Sequence, residues 1–182
     1  MTPWSVSLPT ALTVGGKEYA IRSDYRVALD ILLALTDVEL SDTDKALEAI
    51  ECLYVDEIPA EHLQEALEKC YWFIRGGEEV REQNQPRLVS WEQDFNLIAA
   101  PISKVVGQDI RGMEYLHWWT FLSAYMGIGD CLFAQIVGIR DKKARGKALD
   151  KVDREFYRRN RDLIDMKTKT TEAEDAILNS WI

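Results

Sequence analysis

Two hydrophobic periods divide the chain. Near the N-terminus polar and apolar positions alternate through Thr13-Val14, Gly15-Gly16 and Lys17-Glu18-Tyr19-Ala20-Ile21. Alternation marks two short strands, and the adjacent glycines supply the positive φ angles of a type I′ turn. A β-hairpin over residues 8–22 is therefore expected, with Pro9 confining its first strand to an edge or to the residues after it. Two strands alone are marginal in water, so the hairpin must lie on a helical body or join another chain's strands.

From residue 23 the period changes to about 3.6. Ser23 or Asp24 caps a helix that turns Ala28, Leu29, Leu32 and Leu35 inward. Ser41 and Asp44 have capping-box spacing ahead of Ala46, Leu47, Ile50, Leu53 and Tyr54. Pro59 opens a third helix, with Leu63, Ala66, Leu67, Cys70, Tyr71 and Ile74 inward, and Gly76-Gly77 stops it. Residues 77–89 are polar and read as the longest loop. Ser90 caps a fourth helix carrying Phe95, Ile98, Ala99 and Ile102, bent near Pro101 and ended by Gly107. Residues 113–126 read as an aromatic-rich helix broken by Gly127-Ile128-Gly129. Asp130 caps the next, through Leu132, Phe133, Ile136, Val137 and Ile139. Residues 150–165 read as one long charged helix held by Val152, Phe156 and Leu163.

The pattern predicts a mainly α protein of six to eight helices with a short N-terminal β-hairpin. No linker or repeat divides it, so one domain over 1–182 is expected, with the hairpin at 8–22 and the helical body at 23–166. The stretch 167–182 reads either as one more amphipathic segment through Ala173, Ala176, Ile177 and Trp181 or as a mobile tail.

Composition agrees with a packed fold. The chain has 182 residues, 47% of them apolar and 29% charged, which suits a globular domain. A chain of this length removes about 70% of its unfolded surface from water, enough for a core without staples. The formal charge of −9 argues against nucleic acid and against an anionic membrane as partners. Charge is also unevenly placed. Residues 140–169 hold 12 Lys or Arg against 6 Asp or Glu, a net of +6, and the remainder carries −15. Such a bipolar chain suits head-to-tail association or a partner docked at one end.

Cys52, Cys70 and Cys131 are odd in number and form no C-x-x-C pair; they read as three buried thiols in a reducing compartment. The start of the chain lacks the basic and apolar regions of a signal peptide, and no apolar run approaches the roughly 20 residues of a membrane span. A soluble, intracellular protein is expected.

Familiar catalytic patterns are missing. The two histidines, His62 and His117, form no H-E-x-x-H, and no G-x-S-x-G elbow occurs. Gly127-Ile128-Gly129 has Leu132 where a dinucleotide fingerprint needs its third glycine, and Gly146-Lys147 is followed by Ala148 in place of a phosphate loop's hydroxyl. Asp42, Asp44 and Glu48 lack the spacing of a calcium loop. The residues thus nominate no catalytic group, metal ligand or cofactor, and the expectation is a protein that is not an enzyme.

Three features stand out instead. Tyr115-Leu116-His117-Trp118-Trp119-Thr120-Phe121-Leu122 spreads aromatics around a helix, because neighbours differ by about 100°. Either this is a central helix buried all round, or one indole anchors a protein partner. The run 139–151, with Arg140, Lys142, Lys143, Arg145 and Lys147, is either a solvated basic loop or a docking surface for an acidic partner or the chain's own acidic part. Third, the C-terminal region has only a thin apolar face. The candidate partner-binding residues are Trp118 and Trp119 with Phe133 of the following helix, as an apolar groove, and Arg140, Lys142, Lys143, Arg145 and Lys147 as a basic contact.

Several stretches, taken in order, resemble one family. They are Val14-Gly15-Gly16-Lys17-Glu18-Tyr19 with Ile21-Arg22-Ser23-Asp24-Tyr25-Arg26; Asp94 with Leu97-Ile98-Ala99-Ala100; the aromatic run 115–122; Ile139-Arg140-Asp141-Lys142-Lys143-Ala144 with Gly146-Lys147; and Glu155-Phe156-Tyr157 with Asn160. Over about residues 8–166 the chain is similar to the phage "gene product fifteen" type of tail assembly chaperone, found in long non-contractile-tailed phages and prophages of Gram-positive bacteria. The resemblance implies binding to the phage tape-measure protein, keeping that long helical chain soluble until the tail tube polymerises around it in the host cytoplasm. It further implies contact with the tail-tube protein and self-association, and it transfers no catalytic residue or cofactor. Two other readings compete: a tail or head–tail connector component retained in the virion, and a small DNA-binding regulator using the basic region.

Overall fold

The computed structural model describes residues 7–78 and 86–167. Residues 168–182 of the expected tail segment and 79–85 of the polar loop therefore lie outside the described residues. Among the described residues there are two strands and eight α-helices, which makes the protein mainly α with an N-terminal hairpin. They fall into two compact units. The first is Met1–Glu79 with Glu114–Ser123, and the second is Val80–Met113 with Ala124–Ile182.

In the first unit, β1 (Ala11–Val14) and β2 (Lys17–Ala20) pair antiparallel, with Leu12 opposite Tyr19 and Val14 opposite Lys17. Gly15 and Gly16, at φ 57° and 76°, form the type I′ turn that their sequence predicts. Leu12, Val14, Tyr19 and Ile21 are buried on one face. The hairpin tip is held against the helical body, since the Gly15 N–H donates to Glu65 Oε2 at 2.8 Å. A Cβ on Gly15 would stand 2.4 Å from the His62 ring. This glycine is required twice, by its backbone angle and by its neighbour.

Helix α1 (Tyr25–Thr36) starts at Asp24, whose carboxylate accepts the Arg26 N–H. Helix α2 (Asp42–Leu53) starts at Ser41, whose hydroxyl accepts the Asp44 N–H and donates to the Asp44 carboxylate. Its inward face is Ala49, Ile50 and Leu53, and Leu47 is 38% exposed rather than inward. After Pro59 comes a single 3₁₀ turn, Ala60–His62, before α3 (Leu63–Ile74) buries Ala66, Cys70, Phe73 and Ile74. Ile21 bridges Tyr54 in antiparallel fashion, and the Arg22 guanidinium closes the end of α2 by donating to the Glu51, Cys52 and Tyr54 carbonyls.

The aromatic run departs from the expected helix over 113–126. Residues 115–117 are extended, and α5 (Trp118–Met126) begins only at Trp118. The reason is backbone pairing with the entry to α1. Tyr25 N–H donates to Leu116 O at 2.9 Å, Trp118 N–H to Ser23 O at 2.8 Å, and Leu116 N–H to the Asp24 carboxylate at 2.9 Å. These groups prefer fixed long-range partners to another helical turn, which would have left the α1 entry unpaired. His117 then caps α5. Its Nδ1 accepts the Trp119 N–H at 3.0 Å, and its Nε2 lies 3.0 Å from Pro9 O, which requires the proton on Nε2.

The second unit is built on α4 (Trp91–Val106), which is capped by Ser90, continues through Pro101 and ends at Gly107 with φ 88°. Helix α6 (Leu132–Ala144) begins after Cys131, which occupies the cap position expected of Asp130 and makes no side-chain cap bond. The expected long helix 150–165 is two. Asp150 and Asp153 form a reciprocal capping box at the start of α7 (Lys151–Arg159), and Asn160 separates it from α8 (Arg161–Ile164). Ile136, Ile139 and Ile164 form the core here, with Leu97, Leu149, Phe156, Tyr157 and Leu163 packed around them. Val152, expected as an anchor, is 75% exposed. Of the three free cysteines only Cys70 is buried; Cys52 and Cys131 are partly exposed. Burial pushes the Cys70 thiol up to about 12, so it is held unreactive.

Two outcomes follow. Gly15→Ala meets both a left-handed φ and the His62 ring, and should cost about 1–3 kcal/mol, read as an earlier urea midpoint. Burial holds the His117 ring below the usual histidine range, against the opposing pull of its bond to Pro9 O. The neutral ring is therefore favoured by folding. Its contribution is whole above about pH 6.5 and is lost as pH falls through the depressed value. His117→Asn should flatten the decline in melting temperature between about pH 7 and pH 5, and an unchanged slope in that variant would refute this role.

Candidate interaction surface

The sequence nominates an aromatic cluster and a basic segment, and the two sit in different units. In the first unit Trp118 is fully buried. Its indole N–H donates to Ile74 O at 2.8 Å, and its ring stacks 5.4 Å from Phe121, which in turn stacks 4.8 Å from Tyr25. Trp119, next along the helix, points elsewhere and donates its indole N–H to Phe73 O, also at 2.8 Å. Each indole thus closes one of the last carbonyls of α3, a place that water would otherwise fill. Trp119 is half-buried and meets the similarly half-buried Trp72 edge to face at 5.3 Å. Gly77, at φ 86°, lets the chain pass against this pair, because a Cβ there would stand 2.7 Å from the Trp119 ring.

These positions revise the expected apolar groove. Trp118 and Phe133 are interior residues, Trp118 in the first unit and Phe133 in the second, where it packs 6.1 Å from Tyr125. Neither lines a surface. Trp72 was not singled out in the sequence, since α3 shows its inward face through Cys70 and Ile74 and nothing local marks Trp72 as Trp119's neighbour.

In the second unit the basic segment divides into used and free charges. Arg140 is 5% exposed and lies at the centre. Its Nη1 and Nη2 donate to the two Asp94 oxygens at 2.6 and 2.9 Å. The remaining N–H groups reach Leu88 O, Leu163 O and Ile164 O at 2.7–2.8 Å. All five guanidinium donors therefore have acceptors, and Asp94 also receives the Ser90 N–H. Arg140 is a structural ion, not a docking residue.

Its neighbours are paired nearer the surface. Lys142 bonds Asp153 at 2.6 Å, which raises the lysine and lowers the aspartate from their ordinary values. Lys143 bonds Asp165 at 2.5 Å and Tyr157 at 3.0 Å. Burial works against its ammonium, but these bonds outweigh it and the lysine is raised; Asp165 is lowered, chiefly by the same bond. Arg145 folds back on Asp141 at 2.5 Å. Of the expected basic contact residues, Lys147 is the one that makes no ion pair among the described residues; Lys151, Arg154 and Arg158, further on, are also exposed and make none there.

Residues 6–166 match the family described as Bacteriophage Gp15 protein. The chain belongs to that family. Membership makes it a bacteriophage protein and points to a structural or morphogenetic role. No curated protein and no solved structure matches the chain. The stretches that carried the resemblance include residues of structural weight in this Gp15-family chain: the glycine turn, the Asp24 cap, Asp94 and Arg140. Among the described residues no three His, Cys, Asp or Glu groups gather to hold a metal ion, and no helix is long and apolar enough to cross a membrane.

Removing the buried cation tests its place. Arg140→Ala leaves Asp94 charged and unpaired in the interior and should cost about 3–5 kcal/mol in chemical denaturation. Arg140→Lys should recover only a minor part, because three ammonium hydrogens cannot serve five acceptors set for a planar fork. Full recovery by lysine would refute the assignment.

Proposed function

We propose that this Gp15-family protein is a tail assembly chaperone that binds the tape-measure protein and keeps it soluble until the tail tube assembles. Family membership over residues 6–166 carries the reading. Physical considerations support it. A very long amphipathic helix exposes an apolar stripe that aggregates unless covered, and its cover must come away when tube subunits arrive. Such a partner needs contacts of moderate strength on a preformed surface. The half-buried Trp72–Trp119 pair offers one, because paired indoles present a large apolar area at small entropic cost.

In this reading the action is reversible binding in the cytoplasm of the infected bacterium, without covalent chemistry. The competing reading, a component retained in the finished tail or connector, differs in where the protein ends up. An assembly chaperone is absent from purified virions and a retained component is present.

Co-expression with the tape-measure protein of the same phage tests the proposal. The soluble fraction of the tape measure should rise several-fold, and Trp72→Ala should reduce that gain while the variant's circular dichroism stays helical. An unchanged tape-measure solubility would reject the chaperone assignment.

A further inference from the structure

The charges left unpaired in the second unit are ordered. Helix α7 turns Asp153, Phe156 and Tyr157 inward and leaves Lys151, Arg154 and Arg158 exposed. These three lie within one stripe, since positions three and four apart stack on a helix, and Glu155 in the same stripe is paired with Arg159. Helix α2 in the first unit presents the opposite sign. Asp44, Glu48 and Glu51 are exposed on one stripe, with Leu47 among them. The Glu48 and Glu51 carboxylates make no hydrogen bond or ion pair among the described residues, and that of Asp44 accepts only the Ser41 hydroxyl there.

The spacings match. Along α7 the cations are separated by three and then four positions. Along α2, read backwards from Glu51, the anions are separated by three and then four. Two helices laid antiparallel in this register set Lys151 against Glu51, Arg154 against Glu48 and Arg158 against Asp44. The same register sets Leu47 against Glu155, whose carboxylate is paired with Arg159, with the aliphatic stems of Arg154 and Arg158 on either side. Net charge acts in the same direction: the first unit carries 6 Lys or Arg against 17 Asp or Glu, a net of −11, whereas the second carries 16 against 14, a net of +2.

We propose that α7 of one copy docks antiparallel on α2 of a second copy through these three charge pairs. The contact is head-to-tail, so every copy keeps one acidic and one basic stripe open and association continues into a ring or an open array. This inference concerns the chain's own copies and does not depend on the tape-measure reading.

Sedimentation velocity of the purified full chain tests it at about 50 mM and about 500 mM salt, where screening lengths differ severalfold. At low salt the mean mass should rise with concentration, and at high salt it should return to the single chain. The triple variant Lys151→Glu, Arg154→Glu, Arg158→Glu and the double variant Glu48→Lys, Glu51→Lys should each self-associate roughly tenfold or more weakly than the parent. Mixing the two variants should restore association, because each reversed stripe meets its complement on the other chain. A wild-type chain that stays single at low salt overturns the proposal, as does association that ignores both reversals or a mixture that fails to recover. If one variant does not fold, as circular dichroism will show, the other variant and the wild-type salt dependence still decide. Loss of tape-measure rescue with association intact removes only the chaperone reading, and the converse removes only this one.

Discussion

Helix ends leave carbonyls without partners in their own helix, and much of this structure is arranged around supplying donors to them. Arg22 closes α2, Trp118 and Trp119 close α3, and Arg140 with Gln93 closes α8. None of these donors belongs to the helix it caps. Arg22 lies 29 positions from Glu51, Trp118 lies 44 from Ile74, and Gln93 lies 70 from Leu163. Where the carbonyl is buried, as at Ile74 and Ile164, an unmade bond costs about 1–3 kcal/mol, so the donor ties two distant segments with an energy comparable to a buried side chain. Arg140 is the strongest case, because its planar head satisfies one carboxylate and three carbonyls together.

The same constraint explains where charge and aromatic surface remain for partners. Basic residues of α6 are used within their own unit: Arg140 in the interior, Lys142 and Lys143 on α7 and on Asp165, Arg145 on Asp141. The free cations begin at Lys147 and follow the outward face of α7. Likewise the tryptophan pair divides into Trp118, wholly interior, and Trp119, which is only half-buried beside Trp72. The surface available to a partner is thus what helix closure leaves over. It is smaller than the raw count of aromatic and basic residues implies, and it is displaced along the chain.

Membership in a phage protein family gives these surfaces a setting in which reversible association is useful. Contacts made of exposed ion pairs are individually weak and respond to ionic conditions, so they assemble and come apart readily. A half-buried aromatic pair adds area without locking a partner in place. Both kinds of contact suit the temporary binding proposed above better than a permanent joint.

What the sequence determined alone was whatever depends on near neighbours. The glycine pair specified the hairpin turn, Asp24, Ser41, Ser90 and Asp150 marked helix starts, Gly107 marked an end, and the 3.6-residue period located the helices. These features arise from φ preferences and from hydrogen bonds spanning two to four residues, which a linear reading can follow. The late start of α5, the break at Asn160, the burial of Trp118, Phe133 and Arg140, and the pairing of Trp72 with Trp119 were decided by tertiary structure. The late start of α5, the burial of Trp118 and Arg140 and the pairing of Trp72 with Trp119 each depend on a partner far along the chain: Ser23 and Asp24 for residues 116–118, Asp94 for Arg140, the end of α3 for the indoles. A basic or aromatic residue reads the same in sequence whether it faces solvent or seals a distant helix end, and only the folded chain brings the acceptor to it.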